Sequence, residues 1–329
     1  MRSAGGLADN RVGPMKTLVD FVIPTHRRPA LLAEAVASAL AQGDLVGAVI
    51  VVNDGEPLPP GTLPADPRLR VLSNRRRPGA PGARNTGLEE VRAPWVVFLD
   101  DDDLLDADFV PVIAEAVRKD ADDRTVVYGT GFRIRDAMGR VREVCPKSGP
   151  VGLEEVLVHN ALGPTSFAFV KAETVRTVGG FDERLDAAQD WDLWIRLVET
   201  GTVRRIAACL GTYRVHREEQ ISAADPTVRY VRYLPFFRKR ARHPLSGKVR
   251  RSWAAEAYWW GVLMAWTGNV RGSSAAFARA LADHPGHLRS RLMRCLVRTP
   301  FRRCVLRALY GWRADRMRFE DRGEPLPFR

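Results

Sequence analysis

Four consecutive aspartates directly follow an apolar run, and this junction constrains the chain more than any other stretch. The run is Val96-Val97-Phe98-Leu99, and Asp100 to Asp103 come after it. A short apolar run rich in β-branched residues is typical of a buried strand. Adjacent carboxylates repel one another and resist burial, so they require a cation, positive side chains or water. The pattern predicts a strand whose carboxyl end opens into a site, with a solvated acidic turn as the alternative.

Two apolar runs upstream also end in polar residues. Leu18 to Ile23 predicts a first strand that Pro24-Thr25 ends, and Ala48 to Val52 predicts a second that Asn53-Asp54-Gly55 ends. The helical periodicity of residues 31–40 between them predicts a βαβ unit and a parallel sheet. Ligands of such sheets collect beyond the carboxyl ends of the strands, so we expect the three polar strand ends to share one crevice. Hard divalent ions take carboxylate and phosphate oxygens, so a metal–diphosphate site fits there.

Five sequence motifs, in this order and spacing, carry a family resemblance. They are IPTHRRPALLAEAVASAL, VIVVNDGEP, GARNTGLEEVRAPWVVFLDDDDLL, GGFDERLDAAQDWDLWIRL and YRVH. Together they resemble the family 2 glycosyltransferases with the GT-A fold, over about residues 18 to 222. The resemblance implies a Rossmann-like, mainly parallel sheet flanked by helices. It also implies transfer of a sugar from a nucleotide diphosphate donor to an acceptor hydroxyl, with Mg²⁺ or Mn²⁺ and with inversion at the anomeric carbon.

The resemblance assigns donor-side roles to residues at the first two strand ends. It places the base and ribose at Pro24 and Thr25, and Asp54 where a carboxylate accepts a hydrogen bond from a pyrimidine. An ordinary turn explains each of these positions equally well from local sequence alone. Arg28 is predicted to meet phosphates. Arg84 is predicted to open a helix and to hold a carboxylate or phosphate through its planar fork, with Asn85 as a capping residue.

The four aspartates leave two registers open for a pair of carboxylates one residue apart. The pair is either Asp100 with Asp102 or Asp101 with Asp103. Because the strand ends directly at Asp100, and the family pattern aligns in the same way, we assign Asp100 and Asp101 to the donor and Asp102 to the metal. A metal is expected because a nucleoside diphosphate is a poor leaving group until a Lewis acid meets its developing charge.

Asp190 is the predicted catalytic base. It begins an amphipathic helical pattern, so its carboxylate lies at the positive end of the helix dipole. The family resemblance implies that the aspartate at this position removes the proton of the acceptor hydroxyl. A simple helix N-cap is the alternative. The family has Glu-Asp here, whereas this chain has Gln189, so the base lacks an acidic neighbour. His216 matches a family position that can ligate the metal.

The C-terminal third has a different composition. Residues 226–329 hold 23 Lys and Arg against 6 Asp and Glu, whereas residues 1–225 carry a net charge of −5. Residues 254–281 resemble one tetratricopeptide-like helical hairpin, which we expect to dock on the catalytic domain or on a partner because one repeat cannot bury both faces. In it Tyr258, Trp259 and Trp260 favour core packing over a sugar platform. Residues 287–318 form a basic amphipathic pattern, typical of a helix on an anionic membrane surface or of one packed on the domain.

Cysteine spacing, hydropathy and the absence of known motifs limit the classes of protein that the sequence fits. The cysteines show no CxxC pair or zinc spacing, so we expect free thiols in a reducing compartment. No apolar stretch reaches the roughly 18 residues of a membrane span, and the first 14 residues lack a signal-peptide core, so a cytoplasmic protein is expected, peripheral at most on the inner membrane face. Met15 is a possible natural start. No nucleic-acid motif appears, and no nucleic-acid partner is expected.

The predicted organisation has three parts. These are a flexible lead over residues 1–15, a GT-A domain over 16–224 and a basic helical region over 225–329. The expected partners are a nucleotide-sugar donor, with UDP-sugar favoured, and a hydroxyl-bearing acceptor that is a glycan, a lipid-linked glycan or a small molecule. The alternative is a non-catalytic nucleotide-binding or scaffold protein acting through its helical C-terminus. A nucleotidyltransferase would need a Gly-rich, lysine-containing phosphate loop, and HRRPALL lacks one.

Overall fold

The computed structural model describes residues 17–215, 226–266, 268–297 and 299, and it confirms an α/β fold followed by helices. The strands are β1 (Val19–Thr25), β2 (Val46–Asn53), β3 (Leu69–Ser73), β4 (Trp95–Phe98), β5 (Leu104–Leu105), β6 (Thr125–Arg135), β7 (Val141–Val144), β8 (Gly149–Pro150), β9 (Ala168–Lys171) and β10 (Thr202–Arg214). The helices are α1 (Pro29–Leu40), α2 (Ala80–Glu90), α3 (Phe109–Lys119), α4 (Leu153–Val158), α5 (Ala172–Thr177), α6 (Gln189–Val198), α7 (Pro226–Arg240), α8 (Ser246–Trp266), α9 (Val270–Asp283) and α10 (Leu288–Leu296).

The sheet places the three predicted strands side by side. Its order is β3-β2-β1-β4-β9-β6-β10-β5, and β1 pairs in parallel with both β2 and β4. The strand β9 runs antiparallel between β4 and β6, so the sheet is mixed in its second half. The carboxyl ends of β1, β2 and β4 therefore meet at one edge, as the sequence predicts.

Alternate residues of these strands fill two separate cores. On β4, Val96 and Phe98 join the core that α2 and α6 cover, whereas Val97 and the next residue after the strand, Leu99, join the core beneath α1 and α3. Both faces of a parallel sheet are buried in this way, which explains why the strands are continuous apolar runs rather than alternating ones. The helices on each face thereby hold the strand ends in place.

Asp20 is a buried carboxylate that joins three segments at the opposite end of β1. It is 2% exposed and accepts hydrogen bonds from the backbone N–H groups of Ala48 (2.8 Å), Arg92 (2.7 Å) and Ala93 (2.9 Å). A buried charge is stable when hydrogen bonds replace its hydration. Asp20 thus connects β1 to β2 and to the segment that leads into β4.

Gly87 lets α2 approach the sheet closely. A Cβ atom there would lie 2.3 Å from Val22 Cγ1 and 3.1 Å from Val52 Cγ2. No real side chain tolerates such a contact, so the helix needs glycine at this position to reach its place on the sheet. This packing brings Arg84, one turn earlier on α2, to the strand ends.

The disulfide between Cys145 and Cys209 corrects the expectation of free thiols for these two residues. It joins the chain just after β7 to β10, with the two Cα atoms 5.6 Å apart. Sequence spacing missed it because the pairing spans 64 residues and depends on the hairpin of β6 and β7 lying beside β10. Cys295 is a free, exposed cysteine, and Cys304 lies outside the described residues.

The C-terminal helices pack against the α/β region and against one another. As predicted, two helices joined at Gly268-Asn269 form a hairpin, although α8 begins earlier than expected, at Ser246. Tyr258 and Trp260 are buried, as expected for core packing. Trp253, on α8, lies in the same apolar core as α6, and its indole N–H donates to the Leu157 carbonyl at 2.9 Å. The hairpin therefore docks on the α/β region.

A buried ion pair lies at this junction. Arg240 of α7 and Glu256 of α8 are 5% and 6% exposed and lie 2.5 Å apart. The guanidinium also lies 4.7 Å from the ring centroids of both Trp191 and Trp253, which suits cation–π attraction. Arg240 thus binds α6, α7 and α8 together.

Among the described residues, none of the helices is both long and apolar enough to cross a membrane.

The Arg240–Glu256 pair makes a stability prediction. Arg240→Met should lower the free energy of unfolding by about 3–5 kcal/mol, because it leaves Glu256 buried and unpaired. The double variant Arg240→Met with Glu256→Leu should recover most of that loss, since an apolar pair removes both charges. Urea denaturation measures both, with the exposed Arg238→Met as the matched control, expected within about 0.5 kcal/mol of wild type. A double variant less stable than the single one would contradict this account.

Candidate active site

A cleft of about 570 Å³ opens at the carboxyl ends of β1, β2 and β4. Every residue predicted for the donor side lines it, together with the predicted metal ligand from the aspartate run. These residues are Pro24, Thr25, Arg28, Asp54, Arg84, Asp100, Asp101 and Asp102. The expected shared crevice is therefore present, and the structure brings together side chains from four separate segments.

Basic and hydroxyl side chains from the β1–α1 segment hold the middle of the aspartate run. The Thr25 hydroxyl donates to Asp101 Oδ2 at 2.7 Å. Arg28 Nη1 lies 3.2 Å from Asp101 Oδ1 and 2.9 Å from Asp102 Oδ2. Because Asp101, Asp102 and Asp103 are all at most 6% exposed, the alternative of a solvated acidic turn is wrong.

Burial and mutual repulsion make two of these carboxyl groups hard to ionise. Burial, and then the negative charge of Asp102, raise the pKa of Asp101 to about 6, against the opposing effects of Thr25 and Arg28. Burial raises the pKa of Asp103 well above its usual range, with the charges of Asp102 and Asp100 adding to the effect. A site with this much uncompensated negative charge favours a cation.

The carboxylates also fit a divalent ion by position. One oxygen each of Asp100, Asp102 and Asp103 lies within 4.8 Å of the others, and all are hard oxygen donors of the kind that Mg²⁺ and Mn²⁺ prefer. Asp103 is held from behind, where Ser166 Oγ donates to it at 2.6 Å and the Arg214 backbone N–H at 3.3 Å. His216, the other predicted metal ligand, lies outside the described residues.

Arg84 connects the aspartate run to α6. Its Nη1 donates to Gln189 Oε1 at 2.9 Å, and its Nη2 donates to Asp100. The sequence suggested that Arg84 opens its helix. The helix α2 instead begins earlier, at Ala80, and Pro81 suits its first turn. Asn85 does not cap it. The Asn85 side chain instead accepts from the Phe181 N–H at 2.8 Å and donates to the Phe181 carbonyl at 2.9 Å.

Asp54 fixes the loop that covers the far side of the cleft. Its carboxylate accepts from Asn74 Nδ2 at 2.7 Å and from the Gly79 backbone N–H at 2.5 Å. Gly79 has φ +118°, a conformation that favours glycine, and it immediately precedes α2. Asp54 therefore holds together β2, the loop after β3 and the start of α2. Its local sequence suggested only a turn residue.

Asp190 lies in the first turn of α6, as predicted, but it is not the N-cap. The cap is Ala188, in the left-handed conformation at φ 57°. Asp190 Oδ1 accepts from the Trp191 N–H and Oδ2 accepts from Asn160 Nδ2, each at 2.8 Å. Burial raises the pKa of Asp190 above its ordinary value, against these two hydrogen bonds. Gln189, its neighbour, lines the cleft through the contact with Arg84.

Sequence reasoning missed several residues of the cleft. His26 and Tyr213 line it, and the His26 Nδ1–H donates to the Asp54 carbonyl at 2.7 Å. The position of His26, directly after Thr25, could have indicated that it lines the cleft. The Ser166 hydroxyl donates to Asp103 from behind, and no local sequence signal indicated this contact. Asn160, which contacts Asp190, had no sequence signal, because an asparagine in a loop is ordinary.

The parallel strands β2, β1 and β4, with an acidic cleft at their carboxyl ends, are typical of α/β proteins that bind ligands at this edge of the sheet. Residues 20–155 match the family described as Glycosyl transferase family 2. This match covers less than half of the chain and lies in the α/β region that forms the cleft, which is therefore similar to a family 2 glycosyltransferase domain with the GT-A fold.

Similar curated proteins include glycosyltransferases from several bacteria. An uncharacterized glycosyltransferase of Rickettsia conorii is 26% identical over 62% of this chain and 35% of its own length. The pre-mycofactocin glycosyltransferase of Mycobacterium tuberculosis is 28% identical over 57% of this chain and 41% of its own length. The chain thus spans well under half of the length of these relatives.

Solved structures share the fold across most of the chain. Staphylococcus aureus TarS 1-349 in complex with UDP-GlcNAc superimposes with a TM-score of 0.55 at 14% identity, covering 85% of this chain and 90% of that one. The mannosyltransferase PcManGT of Pyrobaculum calidifontis, in complex with GDP-Man and Mn²⁺, gives a TM-score of 0.56 at 18% identity, covering 94% and 85%. At these identities the similarity shows the fold.

The raised pKa of Asp101 predicts a pH-dependent stability. In the unfolded chain this carboxyl ionises near pH 3.9, but in the folded protein it ionises near 6, so its ionisation costs stability as the pH rises through 6. In metal-free protein, Asp101→Asn should therefore raise the free energy of unfolding by about 1–3 kcal/mol at pH 8, and by almost nothing near pH 4. Urea denaturation with a chelator at both pH values measures this.

The exposed Asp123→Asn is the control for that experiment and should match wild type at both pH values. An Asp101→Asn protein less stable than wild type at pH 8 would show that Thr25 and Arg28 outweigh the repulsion between the carboxylates.

Proposed function

We propose that this protein transfers a sugar from a nucleotide diphosphate donor, with UDP-sugar favoured, to an acceptor hydroxyl with inversion. The observation that carries the proposal is the cleft in which Asp54, Arg28, Arg84 and the aspartate run converge within a family 2 glycosyltransferase domain. Neighbours of the same fold in complexes with UDP-GlcNAc and with GDP-Man and Mn²⁺ support a nucleotide-sugar donor and a metal. The scaffold alternative is not favoured, because it gives no reason for this arrangement.

The donor would lie along the cleft from β1 to α2. Pro24, Thr25 and Asp54 stand at the base end, where Asp54 is held by Asn74 and Gly79 and presents its remaining lone pairs. Arg28 and Arg84 supply positive charge for the diphosphate. Both guanidinium groups are bound by carboxylates here, so the arriving phosphates would share them with Asp100, Asp101 and Asp102.

The metal would be held by Asp102, with His216 proposed as a second ligand and the carboxylates of Asp100 and Asp103 within reach. A bound Mg²⁺ or Mn²⁺ supplies Lewis-acid stabilisation of the charge that develops on the departing diphosphate. Arg84 sits on Asp100 and orients it, while Ser166 orients Asp103, so the protein fixes these carboxylates before any ligand arrives.

Asp190 is the proposed general base. It takes the proton of the acceptor hydroxyl as that oxygen attacks the anomeric carbon. A new glycosidic C–O bond forms while the bond from the anomeric carbon to the phosphate oxygen breaks, and the nucleoside diphosphate leaves from the opposite face, which inverts the centre. The raised pKa makes Asp190 a stronger base than an exposed aspartate, and Trp191 N–H and Asn160 hold its orientation.

A peripheral contact with an anionic membrane is a separate part of the proposal. Its support is α10, whose Arg289, Arg291 and Arg294 are exposed next to Leu292, which is 55% exposed. Cations around an exposed apolar side chain suit the headgroup region of such a surface. The rest of the predicted basic segment lies outside the described residues.

Thermal unfolding with UDP, GDP and dTDP, each with and without Mn²⁺, tests the donor site. At about 100 times its dissociation constant a ligand stabilises the native state by about 2.7 kcal/mol. We expect a manganese-dependent rise in Tm with one nucleotide, UDP by preference, and its loss in Asp102→Ala. The exposed Asp123→Ala should keep the full shift. Absence of any shift in wild type would refute the donor site.

Donor hydrolysis tests Asp190 without knowledge of the acceptor, because water can replace the acceptor hydroxyl. Asp190→Asn should reduce the Mn²⁺-dependent release of UDP from a UDP-sugar by about 10²–10⁴-fold, the range for loss of a general base. Its nucleotide-dependent shift in Tm should remain. Asp186→Asn, an exposed aspartate four residues upstream, is the matched control. Near-full hydrolysis by Asp190→Asn would exclude the base role.

A further inference from the structure

We propose that a second cavity, between α7, α8 and α9, binds one neutral hexose ring of a glycan acceptor. The cavity measures about 220 Å³ and shares no lining residue with the donor cleft. Its walls include Tyr230, Phe237, Trp253, Glu256, Trp260 and Asp283. The inference rests on the proposed function, and it selects a glycan from the acceptor classes that the sequence leaves open.

Aromatic rings form one side of this helical-region pocket. The Tyr230 ring centroid lies 5.7 Å from that of Trp260 and 6.1 Å from that of Phe237. The Arg229 guanidinium covers one face of Trp260 at 5.3 Å, so Tyr230 and Phe237 are assigned as the platform for a sugar. Aromatic faces attract the weakly positive C–H groups of a pyranose ring, because the ring face carries partial negative charge.

Paired charges form the other side. Glu256 Oε2 accepts from Arg240 Nη2 at 2.5 Å, and Asp283 Oδ2 accepts from Arg279 Nε at 2.7 Å. Each carboxylate keeps lone pairs beyond the one it uses, so it can also accept from a hydroxyl group. Arg240 and Arg279 are matched by these carboxylates, and the third arginine of the lining, Arg238, is exposed to solvent. With Arg240 and Arg279 neutralised, the pocket suits a polyhydroxylated ligand better than a purely apolar one.

Trp260 adds a polar group that lacks a partner. Its indole Nε1–H is buried and has no hydrogen-bond acceptor in the described part of the chain. A buried donor without an acceptor costs free energy, and most buried indole N–H groups find one. Trp260 also lines the pocket, so a small rotation of its ring would bring this donor to a sugar hydroxyl. Trp260 therefore packs in the core of the helical region, as predicted, and also has a feature that packing alone leaves unexplained.

Packed side chains connect the pocket to the proposed base. Arg240, which lines it, stacks 4.7 Å from the ring of Trp191, the residue directly after Asp190. Tyr233 lies between the two sites, because its ring is 5.9 Å from that of Trp260. Burial, and then the negative charge of Asp190, raise the pKa of Tyr233 to about 12, which agrees with that position. A glycan of two or more units could place one ring in the pocket and its reacting hydroxyl near Asp190.

Saturation-transfer NMR on the full chain tests the pocket, with the methyl glycosides of glucose, galactose, mannose and N-acetylglucosamine as probes. We expect at least one to bind at millimolar concentration. Two variants should weaken that binding at least fivefold: Asp283→Asn, which removes a charged acceptor, and Trp260→Phe, which keeps a ring but removes the N–H. Asp123→Asn, far from the pocket in sequence and exposed, should bind like wild type.

Failure of binding by all four glycosides, or binding unchanged in both Asp283→Asn and Trp260→Phe, would overturn the pocket. The same samples report the proposed function separately, through the shift in Tm with UDP and Mn²⁺. A normal nucleotide shift without glycoside binding rejects the pocket alone. Glycoside binding that both variants weaken, without any nucleotide shift, supports the pocket and rejects the proposed function.

Discussion

Repulsion within the run Asp100–Asp103 is the constraint on which the rest of the site depends. Four adjacent carboxylates at the end of a buried strand are tolerable only with positive charge or hydrogen-bond donors around them. The chain supplies these from distant segments: Thr25 and Arg28 from the first strand end, Arg84 from α2, and Ser166 from beyond β6. These partners come from three separate segments, so the chemistry of the cleft depends on the order of the strands in the sheet.

The sequence was sufficient where one short segment decides the outcome. The runs that end at Thr25, Asn53 and Asp100 are apolar apart from the buried Asp20, and parallel strands buried on both faces require largely apolar runs. Because the carboxyl ends of parallel strands meet at one edge, the cleft followed from the strands. The donor-side residues and Asp102, placed there from the family resemblance, line it in the structure, whereas Asp190 is not among the lining residues and His216 lies outside the described residues.

The sequence was insufficient where contacts join segments far apart. Asn85 resembles a capping residue locally, but its amide is occupied by the backbone of Phe181, 96 residues away. The Cys145–Cys209 disulfide depends in the same way on which strands become neighbours. Asn160 next to Asp190 had no local signal at all. The partner of a side chain is set by the topology of the whole domain, and spacing along the chain does not encode it.

The close approach of α2 to the sheet has a wider meaning for the site. Gly87 touches no ligand-binding residue, yet it fixes the depth at which α2 rests on Val22 and Val52. Arg84 is carried by the same rigid helix and reaches Asp100 and Gln189 from that depth. The geometry of the guanidinium is thus set by a missing methyl group one turn further along the same helix. The position of Arg84 in the cleft therefore depends on backbone packing in the core. Substitutions in the core would change that position without replacing any polar side chain.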